Sequence, residues 1–263
     1  MKHSIIILTV MLIAASSITM LLTEIRNNIT VSPVAQAPEA LAGVYTEPTR
    51  RINRSMSTNM RSTGLFLNWK RPANLKAIIA NLREQAYIWV WNNGVQGNFD
   101  ADVQINSSVN FLSYPRWLMA TQPKTEFVFV HDDDLMVTTP IKEIEEYMDT
   151  LPKDAILGCA GVTLVKGKGY WSSRHRPRAN GTVDIVKGRF MFLRTELLRK
   201  VYLKPAGLTR GDDIYISSFS THKELPKFIH KRNLPTGQEG LMKQSGHRTE
   251  REKAVEAYFE RQT

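Results

Sequence analysis

A chain of 263 residues with 42% apolar residues is long enough for one core of ordinary size. Its formal charge of +10 and pI near 9.7 draw it toward anionic partners such as nucleic acid, lipid headgroups, sulfated glycans or nucleotide phosphates, without choosing among them. The single cysteine, Cys159, excludes an intramolecular disulfide framework and a cysteine-based zinc site; in the apolar run of residues 155–160 it reads as a small buried hydrophobe.

From Ser4 to Leu22 no residue is charged, and Ile, Leu, Met, Val and Ala dominate. At ~1.5 Å per residue, a helix of this length about spans a ~30 Å hydrocarbon layer. Lys2 and His3 precede the run and Glu24 and Arg26 follow it, which favours a short cytoplasmic tip and a single-pass type II anchor over residues 1–22. Such an anchor suits a Golgi or ER membrane in a eukaryote and the cell membrane in a bacterium. The competing reading is a cleaved signal, with Ala35-Gln36-Ala37 as an A-x-A site beyond the apolar run. Residues 23–60, with Pro33, Pro38 and Pro48 among Ser, Thr and Asn, read as a stem.

Residues 61–263 then carry the pattern of an α/β domain. Leu65-Phe66-Leu67 suits a buried strand, Leu75, Ile78, Ile79 and Leu82 recur at helical spacing, and Tyr87-Ile88-Trp89-Val90-Trp91 suits a second strand closed by the turn signal Asn92-Asn93-Gly94. This strand-helix-strand order predicts a parallel sheet. A helix end at Trp117–Ala120, a strand at Phe127–Val130, a helix from Pro140 to Met148, an apolar run at Ile156–Ala160, a strand near Val183–Val186 and a helix from Thr195 to Tyr202 follow. The tail, from about Thr249 to Arg261, is expected as an amphipathic helix laid on the surface.

Phe127-Val128-Phe129-Val130 runs straight into His131-Asp132-Asp133-Asp134. Adjacent carboxylates repel unless a cation compensates them, and a hard divalent ion is a natural compensator. Strand alternation would point Asp132 and Asp134 together and Asp133 away. In open α/β sheets, sites also lie at the carboxyl ends of strands. A second acidic pair, Asp212-Asp213, follows Gly211 and precedes Ile214-Tyr215-Ile216; one of the two is also a natural helix cap. Both acidic clusters are expected to converge on one pocket.

The order Arg71-Pro72-x-Asn74, Val90-Trp91-Asn92-Asn93-Gly94, Asn110, Arg116, Asp132-Asp133-Asp134, Gly188-Arg189-Phe190-Met191-Phe192 and Gly211-Asp212-Asp213-Ile214 resembles the exostosin-like glycosyltransferases of family 64 over roughly residues 64–220. The resemblance implies a GT-A fold, Rossmann-like with a mixed, mostly parallel sheet flanked by helices. It also implies retaining transfer of an N-acetylhexosamine from a UDP-sugar with Mn²⁺ or Mg²⁺. By the same resemblance Arg71 and Asn93 would hold the uridine, and Asn110 and Arg116 would contact the nucleotide. Asp132 and Asp134 would anchor the metal on the diphosphate, and Asp213 would sit beneath the anomeric carbon with Asp212 in support. Asn74, Asp133 and Arg189 complete the expected donor-binding set. His247 is the candidate histidine ligand to the metal, with His230 second; His131 would adjust the charge of the trio, and Arg189 and Arg210 would neutralise phosphate. The chain departs from the family in being short after Asp213 and in lacking the cysteine pair of animal members.

The expected partners are a nucleotide-sugar donor, a glycan acceptor and a membrane. The rival readings are an inverting family 2-like transferase, a catalytically silent glycan- or nucleotide-binding membrane protein, and a nucleic-acid-binding or phosphohydrolase protein using acidic residues for two metals. Nucleic acid is not expected, since no helix-turn-helix, zinc finger or aromatic RNA platform is recognisable. Sequons beginning at Asn28, Asn53, Asn106 and Asn180 are compatible with a lumenal domain.

Overall fold

A computed structural model of the chain describes residues 60–113, 115–120, 122–165, 167–176, 181–202, 210–236 and 246–262. All belong to the unit Gly43–Thr263. The expected anchor and almost all of the expected stem lie outside the described residues, among which no helix is long and apolar enough to cross a membrane.

In chain order the first elements are β1 (Ser62–Asn68), α1 (Pro72–Leu82), β2 (Tyr87–Asn93), β3 (Val103–Ser107), α2 (Pro115–Ala120), β4 (Phe127–His131), β5 (Leu135–Val137) and α3 (Ile141–Asp149). The short strands β6 (Ile156–Gly158), β7 (Gly161–Thr163), β8 (Arg174–Arg176), β9 (Gly181–Thr182) and β10 (Ile185–Val186) follow, with a 3-10 turn at Tyr170–Ser172. β11 (Phe190–Arg194), α4 (Thr195–Tyr202), α5 (Asp212–Ser217), β12 (Lys223–Leu225), β13 (Lys231–Asn233) and α6 (His247–Gln262) complete the described elements.

The principal sheet has the order β3-β2-β1-β4-β11-β6-β12-β9. β3, β2, β1 and β4 are mutually parallel, β11 lies antiparallel between β4 and β6, and β12 is parallel to β6. The mixed sheet with a parallel first half therefore forms as expected. β4 is buried along its whole length, as its unbroken apolar run requires of a central strand. Alternate residues enter different cores. Phe66, Ile88, Val90, Phe127, Phe129, Phe190 and Phe192 pack on one face with Leu75, Ile78, Ile79 and Leu82 of α1. Leu65, Val128, Val130, Met191 and Leu193 pack on the other with Leu197, Leu198 and Val201 of α4. Each fully buried side chain of this kind contributes about 1.5–3 kcal/mol.

Asn92 and Asn93 are the last residues of β2 rather than a turn; Gly94 alone, at φ +77°, makes the bend. In register across β1, β2 and β3, Asn68 donates to Asn92 at 2.7 Å and Asn92 to Asn106 at 2.6 Å, a polar ladder that locks the strand ends beside the site. The strand expected over residues 183–186 shortens to Ile185–Val186. α6 is more than a surface helix: Ala254, Val255 and Tyr258 are buried with Ile214, Tyr170 and Ile185 in a third core.

Candidate active site

The carboxyl ends of β1, β2 and β4 open onto a cleft of about 560 Å³, closed by the residues after β10 and by α5 and α6. Arg71, Asn93, Arg116, Asp132, Asp133, Asp134, Arg189, Arg210, Asp212, Asp213 and His247 all line it. The two acidic clusters, 80 residues apart in sequence, thus share one cavity.

The chain leaves the strand at His131, so strand alternation no longer applies to the trio, and Asp133 lines the cleft with its neighbours. Each aspartate has its own arginine. Arg116 donates from Nη2 to Asp132, Arg71 to Asp133 at 2.5 Å, and Arg189 to Asp134 at 3.0 Å. The Arg189 carbonyl also accepts the Asp132 N–H at 2.8 Å, so the start of β11 holds the trio by backbone and side chain together. Burial pushes the Asp132 carboxyl up to about 6; Arg116 opposes the shift, and Asp134 and Asp133 add to it.

Asn74 and Asn110 do not line the cleft. Asn74 donates its amide to the carbonyls of Asp133 and Pro235, both at 2.8 Å, and so pins the turn that carries the trio. Asn93 donates to Asn110 Oδ1 and Leu112 O and accepts from the Phe111 N–H, each at 2.8 Å. The two asparagines therefore shape the loop at residues 110–112, where Leu112 takes φ +57°.

At the second cluster, Gly211 (φ +86°) lets the chain turn into α5, and α6 packs close by: a Cβ at Gly211 would lie 3.1 Å from Ala254 Cβ. Asp213 is buried and fully engaged. Arg251 bonds both of its oxygens at 2.9 and 3.0 Å, and the N–H groups of Gly188 and Ile214 donate at 3.3 and 3.0 Å. Burial raises the Asp213 carboxyl, but the charge and hydrogen bonds of Arg251 and the two amides outweigh it, leaving this group below the ordinary range. Asp212 moves the other way, raised by burial and by the adjacent Asp213 charge against Arg116 and a hydrogen bond from Ser113. The pair thus sets one carboxylate held below the ordinary range beside one held above it.

His131 does not adjust the trio's charge. Burial holds it down to about 4, so it is neutral, with Nδ1 2.7 Å from the Asp132 carbonyl and Nε2 accepting the Val137 N–H at 3.4 Å. That geometry requires the Nδ1–H tautomer and makes His131 a clamp on the turn. His230 lies away from the cleft, its backbone bonded to Thr138 and Thr139. His247 opens α6, lines the cleft, and keeps a buried Nδ1 with no hydrogen-bond partner. Burial, then Arg251 and Arg210, lower its pKa, which favours the neutral imidazole that a metal ligand requires.

Sequence reasoning missed Trp69, Tyr170, Trp171, His175, Lys187 and Arg251 as cleft residues. For Arg251 a signal existed: positions 251, 254, 255 and 258 share one helical face, so an arginine continued the apolar stripe Ala254-Val255-Tyr258. The Gly169-Tyr170-Trp171-Ser172 segment has no period to read.

The lining brings six cationic side chains, Arg71, Arg116, Lys187, Arg189, Arg210 and Arg251, against five carboxylates, Asp132, Asp133, Asp134, Asp212 and Asp213. Among the described residues no group of three or more His, Cys, Asp or Glu is placed to hold an ion unaided. An ion shared with a diphosphate needs only one or two protein carboxylates. The cleft fits that kind: the arginine bonds to Asp132 and Asp134 land on Oδ1, so Oδ2 of each accepts no hydrogen bond among the described residues, and His247, whose buried Nδ1 has no hydrogen-bond partner, lines the same cavity.

No protein-family model matches the sequence, and no curated protein matches it. The fold is similar to the crystal structure of S. aureus TarS 1-349 in complex with UDP-GlcNAc, with a TM-score of 0.51 and 14% identity over 69% of this chain and 60% of that one. A further crystal structure of S. aureus TarS superposes with a TM-score of 0.48 at 12% identity over 77% and 43% of the two chains, and TarS 1-349 in complex with UDP with 0.46 at 14% over 63% and 57%. The chain spans about 60% of the length of the TarS 1-349 structure. At these identities the likeness is one of fold, and the fold it shows is a GT-A-like α/β sheet with flanking helices.

Proposed function

We propose that the chain is a metal-dependent glycosyltransferase that takes a sugar from a UDP-sugar and delivers it to a hydroxyl acceptor. The observation that carries this reading is the convergence, in one cleft at the carboxyl ends of parallel strands, of Asp132-Asp133-Asp134, Asp212-Asp213 and six cationic side chains. Such a lining suits a diphosphate accompanied by a divalent ion better than a free anion or a free cation. The fold shared with TarS, whose structure holds UDP-GlcNAc, and the ordered resemblance to exostosin-like enzymes support the same donor class.

In this reading Arg71, on the loop after β1, and Asn93, at the end of β2, lie at the nucleoside end, and Arg116 and Arg189 meet the diphosphate. Asp132 and Asp134, with His247, would hold Mn²⁺ or Mg²⁺, which when bound offsets the charge developing on the departing UDP. Arg251 keeps Asp213 ionised and fixed, as a group that stabilises positive charge at the anomeric carbon must be. A retained configuration and an N-acetylhexosamine are the finer expectations drawn from the exostosin-like resemblance.

One observation favours the inverting alternative. Asp213 has every oxygen engaged, whereas Asp212 carries a raised pKa at the cleft wall, as suits a general base on the acceptor hydroxyl. Anomer analysis of the product by NMR separates the two mechanisms. We further propose that the charge-free run Ser4–Leu22 anchors the enzyme in a membrane as a single-pass type II protein. The functional reading is tested by measuring nucleotide release across a panel of UDP-, GDP- and CMP-sugars. Selective release of UDP supports it, and release from no donor, or only from a GDP- or CMP-sugar, removes it.

A further inference from the structure

We propose that Trp171 is a stacking platform for a pyranose ring of the acceptor; the inference deepens the glycosyltransferase reading and rests on it. Among the described residues Trp171 is the only large apolar side chain that is exposed, at 38%, and it stands in the wall of the cleft. Leaving an indole in water forgoes the stabilisation its burial would bring, so an exposed one inside a polar cavity points to a ligand that covers it.

The ring is held in place. It meets Tyr170 at 5.2 Å and 82°, lies 6.2 Å from His175 at 30°, and meets His247 at 6.1 Å and 61°. Its backbone is fastened to α6 through Glu252, which accepts the N–H groups of Tyr170 at 2.7 Å and Trp171 at 3.4 Å. That fastening needs Gly169, where a Cβ would fall 2.1 Å from Glu252 Oε2. A rigid aromatic surface of this kind contacts a ligand with little loss of side-chain freedom.

The location names the occupant. Arg251 joins the Tyr170 hydroxyl, at 2.8 Å, to Asp213, so Trp171 adjoins the residue bonded to the arginine that fixes the acidic pair. The proposed nucleoside end, Arg71 and Asn93, belongs to the β1 and β2 side of the cleft, whereas the aromatic rings around Trp171 belong to the 3-10 turn, β8 and α6. The acidic-pair side takes the donor's anomeric carbon and, next to it, the molecule that offers the attacking hydroxyl, which is the partner we assign to Trp171. A pyranose suits it, presenting a face of C–H groups to the indole and a rim of hydroxyls to His175, Lys187 and Arg210, which line the same cleft.

The test uses saturation-transfer NMR on the full chain with methyl β-D-glucopyranoside, methyl N-acetyl-β-D-glucosaminide and methyl β-D-glucuronide as probes, alongside calorimetry of UDP with Mn²⁺. Wild type is expected to saturate the ring C–H protons of at least one probe. Trp171→Ala should weaken that probe's binding about tenfold and Trp171→Phe should restore most of it, while UDP affinity stays within about twofold in both. Unchanged probe binding in Trp171→Ala overturns the platform, as does the absence of saturation of every probe in wild type. Equal loss of UDP and probe binding also overturns it, since Trp171 would then serve the nucleotide. If wild type binds a probe but not UDP, the glycosyltransferase reading falls, and the comparison of variants still decides whether Trp171 carries the sugar.

Discussion

Arg251, in the last helix, lays both terminal nitrogens of its guanidinium on the carboxylate of Asp213, at 2.9 Å from Nη1 to Oδ1 and 3.0 Å from Nη2 to Oδ2. Each side chain is 8% exposed. The same Nη2 reaches the Tyr170 hydroxyl at 2.8 Å, and the guanidinium lies 4.2 Å from the centre of that ring. The helix is thereby tied to the cleft through a buried charge pair as well as through Ala254, Val255 and Tyr258.

Arg251→Ala leaves Asp213 buried without its main counter-charge, and is expected to destabilise the fold by about 3–5 kcal/mol. Arg251→Lys keeps the charge but loses the two-pronged geometry, and should fall between the alanine variant and wild type. Urea denaturation checks both. A loss below about 1 kcal/mol for the alanine variant would show that Asp213 does not depend on this partner.

Gly94 closes β2 at φ +77°, and a Cβ there would lie 2.8 Å from the backbone nitrogen of Asn110. Gly94→Ala meets both a strained dihedral and a backbone clash, so it should cost about 1–3 kcal/mol. The displaced Asn93–Asn110 contact sits at the proposed nucleoside end, so UDP affinity should fall as well. Thermal unfolding together with UDP titration measures the two effects; wild-type stability and affinity in the variant would contradict this account of the bend.

Cys159 is fully buried, and burial pushes its thiol up to about 11. At pH 8 the native thiol should therefore be almost wholly protonated and inert to a disulfide reagent such as DTNB. The chain's single cysteine should release one equivalent once guanidinium unfolds it. Rapid modification of the native protein at a rate near that of a free thiol would contradict the core placement of β6 and the residues after it.

The part of the molecule legible in the sequence is the part where a local pattern coincides with a long-range one. Leu75, Ile78, Ile79 and Leu82 announce α1 by spacing alone, and Phe127-Val128-Phe129-Val130 announces a central strand because nothing polar interrupts it. An acidic trio at the end of such a strand is conspicuous for the same reason. Asp133 was harder, since its direction depends on where the strand ends, which His131 fixes through its bonds to the Asp132 carbonyl and the Val137 amide. The sequence pattern points to Asn110 and Asn74 as ligand contacts, yet they hold loops through partners 17 and 59 residues away, and such pairings leave no periodic trace. Arg251 is hidden by composition: in a helix crowded with Arg, Glu and Lys, this buried guanidinium differs only by its place on the apolar stripe.

Calorimetric titration of UDP with and without Mn²⁺ decides whether the cleft grips a divalent ion together with a nucleotide diphosphate. Wild type should bind UDP at least about tenfold more tightly with Mn²⁺ present. Asp134→Asn should erase that difference. Asp133→Asn should preserve it, because Asp133 has no part in the proposed ion shell, and should lose only the ion pair with Arg71. UDP affinity that is the same with and without Mn²⁺ in wild type, or a metal effect that survives in Asp134→Asn, would contradict the account.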